Sequence, residues 1–135
     1  MIFTHQKITI IRSHKPRTEN VNEDLQWLGQ SLGLLNMRDK DKSCFRIFIE
    51  LLKSAKRQES ISSEELAYKL DLSRGTVVHH INKLIDSGIV IPMRNKYILR
   101  VDTLKGLIEE LRSDLEKTLT ELSDIAEKID QTIKG

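Results

Sequence analysis

The chain has 135 residues, enough for one domain or for one domain with an extension. Its 22 basic and 20 acidic residues leave a net charge of only +2, so the overall balance argues for no particular partner. A single cysteine excludes an intramolecular disulfide, and no apolar run or secretory pattern suggests a membrane or an export route, so a cytoplasmic protein is expected.

From the start of the chain, Ile2 to Ile11 (IFTHQKITII) is rich in β-branched residues and reads as a strand. Arg12 to Asn20 is polar and contains Pro16, a flexible connection whose Arg12, Lys15 and Arg17 could alternatively form a basic arm. Asn22 to Leu35 reads as a helix with Leu25, Leu28, Leu32 and Leu35 on one face. Gly29 and Gly33 weaken it by about 1 kcal/mol each relative to Ala, unless their small size permits a close helix contact. Trp27 reads as a packing anchor.

Ser43 to Ala55 (SCFRIFIELLKSA) is a strongly apolar helix. Phe45, Phe48, Ile49 and Leu52 form its stripe, and Cys44, Ile47 and Leu51 widen it, which predicts burial on two sides. Cys44 is expected to be an inert core thiol. Lys53, Lys56 and Arg57 complement the helix dipole at its C-terminal end, so they are weak evidence for any anionic partner.

The stretch from Ile61 to Tyr97 is the most informative. Ser62 and Glu65 form a capping box, and Ile61 and Leu66 stand where a hydrophobic staple clamps a helix entry. Leu66, Ala67 and Leu70 share a face, and the helix should stop near Asp71. Ser73 then caps a second helix with Val77, Ile81, Leu84 and Ile85 on its apolar side and Gly88 as its left-handed terminator.

The other side of this second helix carries Arg74, Thr76, His79, Asn82 and Lys83, and Gly75 leaves room for a phosphate at the free N–H groups of the first turn. A polar face alone is ordinary solvation. The adjoining segment changes its meaning: Ile89–Met93 and Lys96–Arg100 are extended runs around Arg94-Asn95, with Asn95 able to take the positive φ of a tight hairpin. Pro92 belongs on an edge, and Arg94 and Lys96 stand at the tip, placed to touch phosphates. Two helices across a tight turn, then a basic hairpin, is the order of a winged helix-turn-helix.

The run Leu72-Ser73-Arg74-Gly75-Thr76-Val77-Val78-His79-His80-Ile81-Asn82-Lys83-Leu84, closed by Ser87-Gly88-Ile89-Val90, resembles the recognition-helix signature of ArsR-type winged-helix transcription regulators. MarR-type proteins share much of the pattern, and the resemblance covers about Ser43 to Arg100. It implies that Arg74, Thr76 and His79 meet bases or nearby phosphates, that Lys83 meets a phosphate, and that His80 is a packing residue. Metal sensing, common in the ArsR type, is not implied. The cysteine pairs and Asp/His sets that carry it have no counterpart here, and adjacent His79 and His80 point about 100° apart on a helix.

Charge is distributed unevenly. Leu72 to Arg100 holds five basic residues (Arg74, Lys83, Arg94, Lys96, Arg100) against Asp86, a net of +4, while Val101 to Gly135 holds five basic and nine acidic, a net of −4. A basic reader beside an acidic helix suits a DNA-binding face with a dimerising element. From Asp102, read as an N-cap, Leu104, Ile108, Leu111, Leu115, Leu122, Ile125 and Ile129 follow a three-four spacing, with Thr118 as a polar break. A helix of about 30 residues would reach about 45 Å, too long for one small core, so a second copy is its expected partner.

The expected architecture is mainly α with a small β-hairpin: an N-terminal extension over 1–38, a winged helix-turn-helix over 39–100 and a dimerisation helix over 101–135. The expected function is a homodimeric, sequence-specific binder of double-stranded DNA, acting as a repressor without cofactor or metal. The alternatives are a winged-helix protein-interaction module and an architectural DNA binder without sequence preference. No catalytic constellation stands out, and no effector candidate emerges.

Overall fold

The computed structural model describes residues 5–17, 19–36 and 41–134. Its helices are α1 (Val21–Ser31), α2 (Ser43–Lys56), α3 (Ser63–Leu70), α4 (Arg74–Asp86) and α5 (Leu104–Thr132). Its strands are β1 (Ile61–Ser62), β2 (Val90–Met93) and β3 (Lys96–Leu99). It is mainly helical with one small antiparallel sheet and a long C-terminal helix, the winged helix-turn-helix order.

The sheet is larger than the expected hairpin. Its order is β1-β3-β2, with Ile61 opposite Tyr97 and Ser62 opposite Lys96. Two residues carry no periodicity, so β1 is visible in the sequence only as a helix entry. The wing itself is as expected: Met93 faces Lys96, and Arg94 and Asn95 both take positive φ, 48° and 67°, as a two-residue hairpin turn matched to strand twist requires. Pro92 lies on β2, an edge strand, where its missing donor costs nothing.

The helix signals of the central stretch have direct counterparts. Ser62 accepts from the Glu65 N–H at 3.1 Å, and the Glu65 carboxylate accepts from the Ser62 N–H, closing the capping box. Ile61 and Leu66, the staple pair, are both buried. Asp71 ends α3 in the left-handed region at φ 55°. Ser73 then accepts from the Thr76 N–H at 3.1 Å to start α4. At the far end Gly88 has φ 83°, its N–H donating to the Ile85 carbonyl and that of Ile89 to Leu84, a Schellman closure.

The core is one cluster whose buried members run from Leu32 to Leu111. Ile47, Phe48 and Leu51 of α2, Leu66 of α3, and Val77, Ile81 and Leu84 of α4 form it with Ile89, Val90 and Leu99. Leu32 and Leu34 close it from the N-terminal side, Leu107 and Leu111 from α5. Within α2 the centre of the stripe is shifted from the expected one: Phe48 is buried as expected, with Cys44, Ile47, Leu51 and Ala55, while Phe45, Ile49 and Leu52 pack at the margin. With so wide an apolar stripe, the neighbours rather than the pattern choose its centre.

The N-terminal expectations need correcting. Residues 5–11 form no strand, and Ile2 to Thr4 lie outside the described residues. The segment is extended but held by isolated bonds, Lys7 N–H to the Asp86 carbonyl at 2.9 Å and Ile11 N–H to the Ser31 carbonyl at 2.8 Å. No neighbouring strand accepts its ladder. The first helix, capped by Asn20, ends at Ser31 rather than at Leu35, because Gly33 adopts φ 73°. Gly29 does permit a close contact: a Cβ there would stand 2.7 Å from the Phe45 ring.

The long helix begins one residue later than expected, with Thr103 in place of Asp102 as N-cap, accepting from the Gly106 N–H at 3.0 Å. It splits into two regimes. Leu107, absent from the expected seam, and Leu111 are buried in the core, with Leu104 and Ile108 packed at its edge. From Leu115 on, every large apolar side chain is exposed. No helix among the described residues is long and apolar enough to cross a membrane.

Candidate nucleic-acid interface

Burial of Val77, Ile81 and Leu84 fixes the rotation of α4. The opposite side of the helix therefore presents His79, Asn82 and Lys83, all exposed, with Gly75 one turn earlier. A Cβ added at Gly75 would meet nothing within 4 Å, so this end of α4 is open to approach from outside. Ser73 and Thr76 are bound up in the cap, the Ser73 hydroxyl donating to Thr76 Oγ1 at 2.8 Å. Thr76 is half-buried and has less freedom to reach outward than the others. The His79 and His80 rings stand edge to face, 5.3 Å apart.

Two of the expected cations are engaged within the chain. The Arg74 guanidinium meets Glu64 of α3 at 2.7 Å, and Lys96 approaches Glu65 at 3.9 Å. Hydrogen bonding from its own backbone N–H, and then the Arg74 charge, hold the Glu64 carboxyl below the usual glutamate range. Both pairs are exposed, so they add little to stability and can be exchanged for other partners. Lys83 and Arg94 form no ion pair among the described residues. Arg94, Asn95 and Lys96 are exposed at the wing turn.

Arg100 does not belong to this face. It is almost fully buried and forms a bidentate pair with Asp114 of α5, Nη2 to Oδ1 at 3.1 Å. Gln6 donates to the same carboxylate at 2.8 Å, and Glu110 stands 3.8 Å from the guanidinium. The Arg100 hydrogen bonds hold the Asp114 carboxyl below its usual range, against a smaller upward push from burial. Hydrogen bonding to Asp114 likewise raises the Arg100 pKa. The pair joins the end of β3 to α5 and takes one charge out of the +4 counted on the reader segment.

Sequence reasoning misses the acids on the other side of this interface. Glu65 registers there only as a capping residue and Glu64 not at all, yet they pair with Lys96 and Arg74. Tyr68, on α3, is 91% exposed and is missed as well. Its signal is present: it lies two residues beyond Leu66, on the outer face of a helix whose inner face the apolar pattern defines.

A family model described as a helix-turn-helix domain matches residues 41–92. No curated protein and no solved structure matches the chain. The matched span runs from the start of α2 into β2 and stops short of the wing turn, so it covers α3 and α4 and not Arg94, Asn95 or Lys96. A helix-turn-helix domain with this geometry points to a DNA-binding regulator rather than to an enzyme.

Proposed function

We propose that the protein is a homodimeric transcription regulator of the winged helix-turn-helix kind, similar to the ArsR type, that reads a pseudo-palindromic DNA site and represses by occupying it. The observation that carries this reading is the exposed polar face of α4 between two well-formed caps, followed directly by a two-residue wing turn bearing Arg94. Each subunit would set α4 in a major groove, with His79, Asn82 and a released Arg74 toward base edges and Lys83 toward a phosphate. Arg94 and Lys96 would hold the flanking backbone, with Asn95 shaping the turn. Few cations serve each subunit, so two subunits acting together are required for useful affinity.

A second reading is favoured by one observation. Tyr68, 91% exposed on the outer face of α3, is the kind of aromatic side chain that protein interfaces are enriched in, and Glu64 and Glu65 beside it would repel a phosphate backbone.

Fluorescence anisotropy with the upstream DNA of its own gene and with a scrambled duplex, each at two salt concentrations, separates these. The regulator prefers the upstream site by about a thousandfold or more and shows a steep salt slope. Binding to neither duplex would contradict it and favour the protein-partner reading. Equal binding to both would indicate an architectural role.

A further inference from the structure

How two copies of α5 lie on each other is constrained by two apolar features that one arrangement covers together. The first is the outer half of the helix, where Leu115, Leu119, Leu122, Ile125, Ile129 and Ile133 are all 37–74% exposed. The second is a groove of about 200 Å³ on the inner half, floored by Ile108, Leu111 and Leu115, walled by Ile8 and Ile10 and edged by Arg112. The N-terminal segment builds that wall by simple alternation. Gln6, Ile8 and Ile10 turn toward α5, while Lys7 and Thr9 line a different cavity beside the end of α4.

Charge selects the direction. Arg112 and Asp130 are separated by about five full helical turns, so they lie on the same flank of the apolar stripe. The two-fold axis of an antiparallel pair passes through the interface and brings like flanks together, which sets Arg112 against Asp130 of the partner subunit. The same crossing sets Leu119 beside the partner's Leu122, Leu115 beside the partner's Ala126 and Ile108 beside the partner's Ile133. A parallel pair joins opposite flanks and keeps like positions level, so it cannot bring Arg112 to Asp130, which share a flank about five turns apart. The wider field agrees. Residues 5–17 carry Lys7, Arg12, Lys15 and Arg17 with no acid, and residues 116–134 carry five acids against three bases.

We propose that a second copy of the chain lays residues 126–133 of its α5 antiparallel into the groove between the N-terminal segment and α5, with its Asp130 on Arg112. The N-terminal segment is then part of the dimer interface and not a loose extension. This rests on the homodimer reading, and the test distinguishes the failure of one from the failure of the other.

A spin label on Lys134→Cys, in a chain whose native thiol is removed by Cys44→Ala, reports the separation of the two helix ends. Antiparallel helices crossing near Leu119–Leu122 place them about 40 Å apart. A separation under about 20 Å overturns the antiparallel groove while keeping the homodimer. A monomer at every concentration in sedimentation overturns both. A second measurement needs no change in the core. Arg112→Glu and Asp130→Lys, both at exposed positions, should each weaken the dimer about threefold to tenfold, and the double reversal should restore it. Losses that add without restoration would contradict the pairing.

Discussion

The inner and outer halves of α5 carry the same apolar spacing and meet different fates. Leu107 and Leu111 complete the core, whereas Leu122, Ile125 and Ile129 are left exposed. The Arg100–Asp114 pair stands near the boundary and ties the inner half to the end of β3. Periodicity therefore states that a helix face will be covered, and only packing states by what. In the proposed homodimer the core needs no partner to cover it, whereas cover for the outer half depends on protein concentration.

The largest effect that can break this contrast is a core truncation. Phe48→Ala, at a fully buried site, should cost about 3–5 kcal/mol in urea unfolding at any protein concentration. Leu122→Ala should leave the unfolding of dilute protein unchanged and appear only as a weaker dimer. If Leu122→Ala were as costly in dilute protein, the outer half would be packed within its own subunit, and the two-regime picture would fail.

Gly29→Ala sharpens the N-terminal side of the comparison. The new methyl would stand 2.7 Å from the Phe45 ring, an overpacking that should cost about 1–3 kcal/mol by thermal or urea unfolding. An unchanged midpoint would show that α1 is not pressed onto α2. Ser73→Ala should cost less, about 1 kcal/mol, by removing the cap of α4. That loss should weaken DNA binding along with stability, whereas the equivalent Thr103→Ala at α5 should affect stability alone.

The smallest effect is read from the pH dependence of stability. The Asp114 carboxyl is held below its ordinary range by Arg100, so the unfolded chain takes up a proton there before the folded one does. Its contribution is complete above the ordinary aspartate value of about 4 and fades as the pH falls through the lower folded value. Asp114→Asn should therefore flatten stability against pH below about 4. An unaltered acid limb would remove this pair from the joint between wing and helix.

Much of the helix-turn-helix and its wing is legible in the sequence because the signals are local. Caps such as Ser62 and Ser73, the terminator Gly88 and the Asn95 turn each depend on backbone geometry within a few residues, and each stands where the sequence places it. The polar face of α4 follows from those caps and the apolar stripe. The features that escape sequence reasoning depend on residues far apart in the chain. Pairing of Ser62 with Lys96, neutralisation of Arg100 by Asp114 and contact of Gln6 with the same carboxylate have no spacing to betray them. The N-terminal segment misleads for a related reason: Ile8 and Ile10 alternate as in a strand, yet they face a helix and no ladder partner.

The most direct test of the proposed reader is selection of bound sequences from a random duplex library by the intact protein. A homodimer inserting two copies of α4 should enrich two inverted half-sites whose centres lie about 10–10.5 base pairs apart, or a multiple of that. Arg74→Ala should then relax the preference within each half-site, while Lys83→Ala lowers recovery without altering it. Recovery of unrelated sequences with no shared half-site, at an affinity equal to that for bulk DNA, would contradict sequence-specific reading by α4.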